Sequence, residues 1–217
     1  MKAAPIIFYL FIICFILSCR DQTTSKSERQ KNLVKIDTTK AVKIEGYWAV
    51  PKPSFDFNTL IENTKDTLRL VTCSKFVYSP FGALKSRNAI PKSSLSKFSI
   101  KDSIVKSESN GSEYHFLKYK TSKLIMYFDN DGPTHSYIFK GLINNEGVDF
   151  ENGIKIGMDK VDFLNHFFES FPKEIISKYN FIKFESCIQD IVHTYAFKQN
   201  KLVSVVFITD SYLDINY

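Results

Sequence analysis

Glycine and proline are scarce in this chain, eight and seven in 217 residues, and there is a single tryptophan. So few glycines leave no Gly-rich loop of the kind that cradles a nucleotide phosphate. No apolar run approaches the roughly 20 residues that a membrane-spanning helix needs, which excludes a polytopic membrane protein. No block of five or six like charges occurs, so neither a basic nor an acidic interaction tail is present. Paired H-x₃-H or C-x₂-C spacings are absent, and so is a G-x-S-x-G elbow, which removes the common zinc-site and serine-hydrolase signatures. What the chain does have is aromatic carbon: 20 Phe and 11 Tyr, within 44% hydrophobic and 24% charged residues. That is ordinary globular composition with enough large side chains for a sizeable core, and it excludes wholesale disorder.

The N-terminus carries an address. Lys2 is the only charge before Arg20, and Ile6 to Leu17 is an unbroken apolar run of twelve residues. A positive start, a short apolar run and then small residues describe a secretory signal peptide. The run closes on Ile16-Leu17-Ser18-Cys19, and polarity begins at once with Arg20-Asp21-Gln22. This resembles a bacterial lipobox, which implies cleavage after Ser18 and acylation of Cys19. Several acyl chains, at about 0.8 kcal/mol per buried CH₂, hold a protein stably on a membrane. Arg20 rather than Asp follows the cysteine, so the resemblance implies the outer membrane of the cell envelope.

Loss of residues 1–18 removes one lysine from a chain of net charge +6, leaving +5. The basic residues are scattered among Ser, Thr and Asn. Lys118, Lys120 and Lys123 near Tyr119 and Tyr127 read as a half-solvated strand rather than as a nucleic-acid stripe, and no nucleic-acid partner is expected.

Of four cysteines, Cys14 leaves with the signal peptide and Cys19 is consumed by lipid. Cys73 and Cys187 remain in a compartment that permits disulfides, and they either pair or stay as two buried thiols. A reactive Cys187 served by His193 has little support: six residues apart on one strand, the two would lie about 20 Å from each other.

Residues 19–40 are rich in Ser, Thr, Lys and Gln and read as a flexible tether. Folding is expected from about Ala41. Period-two alternation through Tyr114, Phe116, Leu124, Met126, Phe128, Tyr137 and Phe139 predicts a three-stranded antiparallel meander, with turns at Thr121-Ser122 and Asp129-Asn130-Asp131-Gly132. Asp159 is placed to cap a helix in which Val161, Leu164 and Phe168 recur, widened by Phe163 and Phe167. Pro172 fits the first turn of a second short helix with Ile175, Ile176 and Tyr179. Strands follow at about 188–198 and 202–209, joined by Gln199-Asn200.

A shift of 78 residues lays Tyr114–Leu124 on Val192–Leu202, with identities at His115/His193, Lys120/Lys198, Lys123/Lys201 and Leu124/Leu202. A period this long suggests two related subdomains, 41–150 and 151–217, rather than a solenoid. Gly153-Ile154-Lys155-Ile156-Gly157-Met158-Asp159-Lys160-Val161-Asp162-Phe163-Leu164 resembles the helix entry of SmpA/OmlA-type outer-membrane lipoproteins, with Asp159 where that family has Ser or Thr. Tyr195-Ala196-Phe197 and Lys201 to Phe207 resemble its closing hairpin. The tandem arrangement is similar to that of the secreted beta-lactamase inhibitor protein, which implies an α+β fold of two helix-plus-antiparallel-sheet halves. Such motifs imply fold far better than partner.

The chemically suggestive residues have simpler readings. Asp129-Asn130-Asp131-Gly132 opens like a calcium loop, but Lys140 stands where the twelfth-position Glu belongs. His115, His135, His166 and His193 show no ligand spacing. Asp162, Glu169 and Glu174 read as a solvated helix face. Four phenylalanines, Phe163, Phe167, Phe168 and Phe171, exceed what one helical stripe needs, and Phe163 at its margin is the candidate partner contact. No catalytic residue, metal or cofactor is expected. The leading reading is a non-catalytic, lipid-anchored envelope protein that binds or scaffolds another protein. An inhibitor-like or small-ligand-binding periplasmic protein comes next, and an envelope enzyme last.

Overall fold

Alternation of inward and outward side chains is what turns these segments into strands. In Ile191–Lys198 every second residue is buried, namely Ile191, His193, Tyr195 and Phe197, and in Thr67–Thr72 the same holds for Leu68, Leu70 and Thr72. Such period-two burial is the mark of a sheet with one face packed on a core. A computed structural model describes residues 39–58, 65–106, 113–128 and 136–209. The signal peptide, Cys19 and nearly all of the tether lie outside the described residues, as do Asp129–Pro133 and His135.

The described chain is mixed α+β. The strands are β1 (Val42–Ile44), β2 (Tyr47–Pro51), β3 (Phe57–Asn58), β4 (Thr67–Thr72), β5 (Ser99–Lys106), β6 (Glu113–Tyr119), β7 (Ser122–Phe128) and β8 (Ser136–Ile143). After them come β9 (Phe168–Ser170), β10 (Phe181–Ser186), β11 (Ile191–Lys198) and β12 (Lys201–Thr209). Nine of these form one sheet in the order β3-β4-β10-β11-β12-β8-β7-β6-β5, and β1-β2-β9 form a smaller one. Among the described strands only β4 and β10 pair in parallel. The described residues hold three short helices, α1 (Lys75–Tyr78), α2 (Lys160–Phe167) and α3 (Lys173–Ile176), with a 3-10 turn at Arg87–Lys92.

The meander expected over 112–143 is β6-β7-β8, and the last hairpin is β11-β12. Its two-residue turn is Gln199-Asn200, both at positive φ, the mirror-image geometry that suits strand twist. The first hairpin turns at Lys120-Thr121, one residue before the position expected. From Lys120 to Gln199 is 79 residues, and β12 carries a register shift where Ala196/Phe197 pair with it. The turns are therefore offset from the 78-residue alignment, although His115 and His193 are both buried. β8 pairs with β7 on one side and β12 on the other, so an antiparallel run flanks it on each side.

One large core lies between the helices and the big sheet. Its densest part is aromatic: Phe167 approaches Phe184 at 4.7 Å, Phe163 approaches Tyr195 at 4.8 Å, and Phe57 stacks on Phe168 at 5.2 Å. Packed aromatic pairs of this kind add about 0.5–1.5 kcal/mol each beyond area burial.

The helix at 160–167 corrects four expectations. Its inward stripe is Lys160, Phe163, Leu164 and Phe167, while Val161 points out at 48% exposure. The stripe is rotated by one residue because a lysine, not a valine, begins it. Phe163 is fully buried, so it is core and offers no partner contact. Asp159 stands at the N-cap in extended backbone, but its side chain makes no cap bond. Its carboxylate instead accepts from Lys201 Nζ at 2.8 Å. Phe168 leaves the helix altogether and begins β9.

Candidate functional site

All the helices named above pack on the core side of the big sheet, and the other face is built by the alternate residues of its strands. Register lines these up in three rows across β4, β10, β11 and β12. They are Thr67-Phe181-Ala196-Ser204, Arg69-Lys183-Thr194-Val206 and Val71-Glu185-Val192-Ile208. Each of these twelve residues is exposed or half-buried. Half of them are apolar: Val71, Phe181, Val192, Ala196, Val206 and Ile208. A sheet face left to water ordinarily alternates to polar residues. Ile208 at 44% and Phe181 at 37% exposure are large side chains held out on a rigid platform.

The polar members are ordered too. Arg69 donates from Nε and Nη2 to the two carboxylate oxygens of Glu185 at 2.8 and 2.9 Å, a bidentate pair across the parallel strands. It stands between Val71 and Thr67 on one strand and reaches the β10 edge of the apolar row. The face thus offers rigid β-branched side chains with a fixed ion pair. It offers shape and hydrophobic contact rather than bond chemistry.

Cys73 and Cys187 are joined by a disulfide with Cα atoms 5.2 Å apart. They follow directly on β4 and β10, whose last residues Thr72 and Ser186 are register partners. Cys187 N–H donates to Thr72 O at 3.1 Å, so the bridge extends the parallel ladder by one step. Cys187 therefore has no thiol to offer His193, and the two do not share a strand, since β10 ends at Ser186 and β11 begins at Ile191. His193 is buried beneath α1, with its ring 4.7 Å from Phe207 and no partner on Nδ1. Burial pushes its pKa down to about 3, against a smaller opposing hydrogen bond that the ring donates to the Val77 backbone carbonyl.

The other titratable groups that the sequence singled out do not converge among the described residues. Asp162, Glu169 and Glu174 are exposed. His166 Nδ1 lies 2.7 Å from Asp162 O. Asp56 is desolvated, yet hydrogen bonds from Ser74 and Thr72 outweigh that and hold its carboxyl below the usual range. Those hydroxyls lie 2.8 and 3.1 Å away and tie β3 to the start of α1. Among the described residues no group of His, Cys, Asp and Glu is arranged to hold a metal ion. A cleft of about 620 Å³ opens beside α2 and α3, lined by Asp159, Asp162, Asn165, Phe171, Lys173 and Ser177 among others.

The outward rows were not legible from period-two patterning, which marks that a strand has two faces but not which neighbours complete them. β4 in particular carries its own alternation, yet nothing local says that it pairs with β10, more than a hundred residues later. No family model, no curated protein and no solved structure matches the chain.

Proposed function

We propose that this protein is a non-catalytic, lipid-anchored envelope protein that binds another protein through the outward face of β4, β10, β11 and β12. The observation that carries the reading is the half-apolar composition of that face, with Val192, Val206 and Ile208 side by side. The residues Ile6 to Cys19 support export and acylation, and Arg20 supports the outer membrane. Burial of such a platform by a partner displaces water from β-branched side chains that are already held rigid, so little side-chain entropy is lost.

The two antiparallel runs that flank β8 are proposed to be related halves of the inhibitor-protein kind, akin to SmpA/OmlA-type lipoproteins. Their support is the matching strand order β5-β6-β7 and β10-β11-β12 and the buried His115 and His193; their offset turns mark divergence. A second reading, a small-ligand-binding protein, draws on the cleft beside α2 and α3.

A photo-reactive amino acid placed at Ile208, and separately at Val161 on the exposed side of α2, tests the leading reading in whole cells. A discrete protein adduct from position 208 and none from 161 is expected. Adducts from neither position, or from both alike, would remove the sheet face as the binding surface. Cys19→Ala should leave an unprocessed or soluble chain. An unchanged mass and unchanged membrane partition would end the lipoprotein reading.

A further inference from the structure

The only tryptophan of the chain is at the surface. Trp48 is 62% exposed on β2, and Tyr47 beside it is 44% exposed. The core does not take up the indole: Val42, Ile44 and Ala49 are buried on one face of this hairpin, and Trp48 stands on the other. Trp48 pairs across the ladder with Lys43, whose Nζ lies 5.9 Å from the indole ring centre. The hairpin closes through Glu45 and Gly46, both at positive φ, a two-residue turn that fixes this end of the strands. Glu45, its acidic residue, is engaged by Lys178. One face of the hairpin presents the Trp48 indole with the cationic Lys43 across the ladder, and Lys40 comes just before it in sequence; Tyr47, the register partner of Ile44, stands beside the turn on the other face.

An amphipathic ring with a cation beside it suits the headgroup level of a bilayer, where the ring replaces water with lipid and the ammonium meets phosphate. The place of the hairpin in the chain points the same way. β1 begins three residues after Thr39, and Cys19 precedes Thr39 by only twenty residues, at most about 70 Å of chain. An acyl anchor at that distance makes contact between this hairpin and the membrane an intramolecular event, so a small patch suffices. We infer that the β1–β2 hairpin is a lipid-interface contact, with Trp48 seated at the headgroups of an anionic phospholipid membrane and Lys43 and Lys40 facing their phosphates. The inference rests on the lipid-anchored reading of Cys19.

Because Trp48 is alone, its fluorescence reports this site and nothing else. The full mature chain, with its own lipid, is reconstituted into phosphatidylcholine vesicles with and without phosphatidylglycerol. In vesicles whose acyl chains are brominated, Trp48 should lose most of its emission, its spectrum should shift to the blue, and aqueous acrylamide should no longer reach it. Both effects should be larger with phosphatidylglycerol, and Lys43→Glu should weaken them. The lipid comparison tests the charge without any substitution. A protein that floats with the vesicles while Trp48 stays open to acrylamide and untouched by brominated lipid overturns this inference and leaves the anchor standing. Equal quenching in neutral and anionic vesicles overturns the role given to Lys43 and Lys40. A protein that does not float overturns the anchor and the inference together.

Discussion

The ammonium of Lys160 donates to the main-chain oxygen of Tyr179 at 2.6 Å and to that of Ile176 at 3.2 Å. A lysine only 2% exposed thus closes the open end of α3 from the first turn of α2, with its charge 5.6 Å from the Phe197 ring. Burial lowers its pKa, and its partners are carbonyls at a helix C-terminus, where a cation is favoured. Lys160→Met keeps the apolar stem but orphans two acceptors. It should cost about 1–3 kcal/mol for each that stays dry, and Lys160→Ala should cost more. Urea unfolding of the two variants separates the contribution of the ammonium from that of the stem.

The aromatic wall beneath α2 gives the next expectation. Phe163 contacts Phe167, Phe184, Tyr195 and Phe197. Phe163→Ala should therefore be as damaging as Phe167→Ala, about 3–5 kcal/mol each. Val161→Ala, at an exposed position, should change stability by no more than about 0.5 kcal/mol. Asp159→Ala removes only a half-exposed pair with Lys201, so about 0–1 kcal/mol is expected, and salt should erase it. A thermal melt series in low and high salt checks all four.

His193 makes stability depend on pH. In the unfolded chain it titrates near its usual 6.5, whereas burial holds it at about 3 in the fold. Between these values the unfolded state takes up the proton first, so its contribution is fully present above pH 6.5 and is lost as pH falls toward 3. The slope approaches about 1.4 kcal/mol per pH unit within that window. His193→Phe should flatten the urea midpoint between pH 6.5 and 4 relative to the parent chain; equal slopes would show that other groups govern it.

The disulfide closes 114 residues of chain. Loop-closure entropy for a ring of that size corresponds to about 4–5 kcal/mol. Both cysteines are exposed, so a reductant should reach the bridge without unfolding the protein. Reduction, or Cys73→Ser with Cys187→Ser, should lower the unfolding free energy by a comparable amount, read as a lower denaturation midpoint. Peptide mass mapping with and without reductant checks that the change belongs to this bridge.

Much of the sheet was legible because its signals are local. Tyr114 to Phe139 alternate, Gln199-Asn200 turns, and a short helix follows Pro172, which stands at its N-cap rather than in its first turn, with Tyr179 beyond its end. These depend on backbone sterics and on which residues within a few positions are apolar, and both are written in the chain. The phase of α2 was not legible, since counting apolar residues passes over a lysine that is buried by its stem and by two distant carbonyls. Phe163 was misplaced for the same reason, and Asp159 because Lys201 competes for the carboxylate that would otherwise cap.

By itself the sequence determined the period of β6, β7, β8, β11 and β12, the turn at Gln199-Asn200, the supply of aromatic carbon and the apolar start that ends at Cys19. Only the tertiary structure decided that β4 lies parallel to β10, that Cys73 meets Cys187, and that Val71, Val192 and Ile208 form one row. Those are long-range contacts. Each closes a loop whose entropy has to be offset by burial elsewhere in the fold, so no short stretch of residues contains the information that selects it.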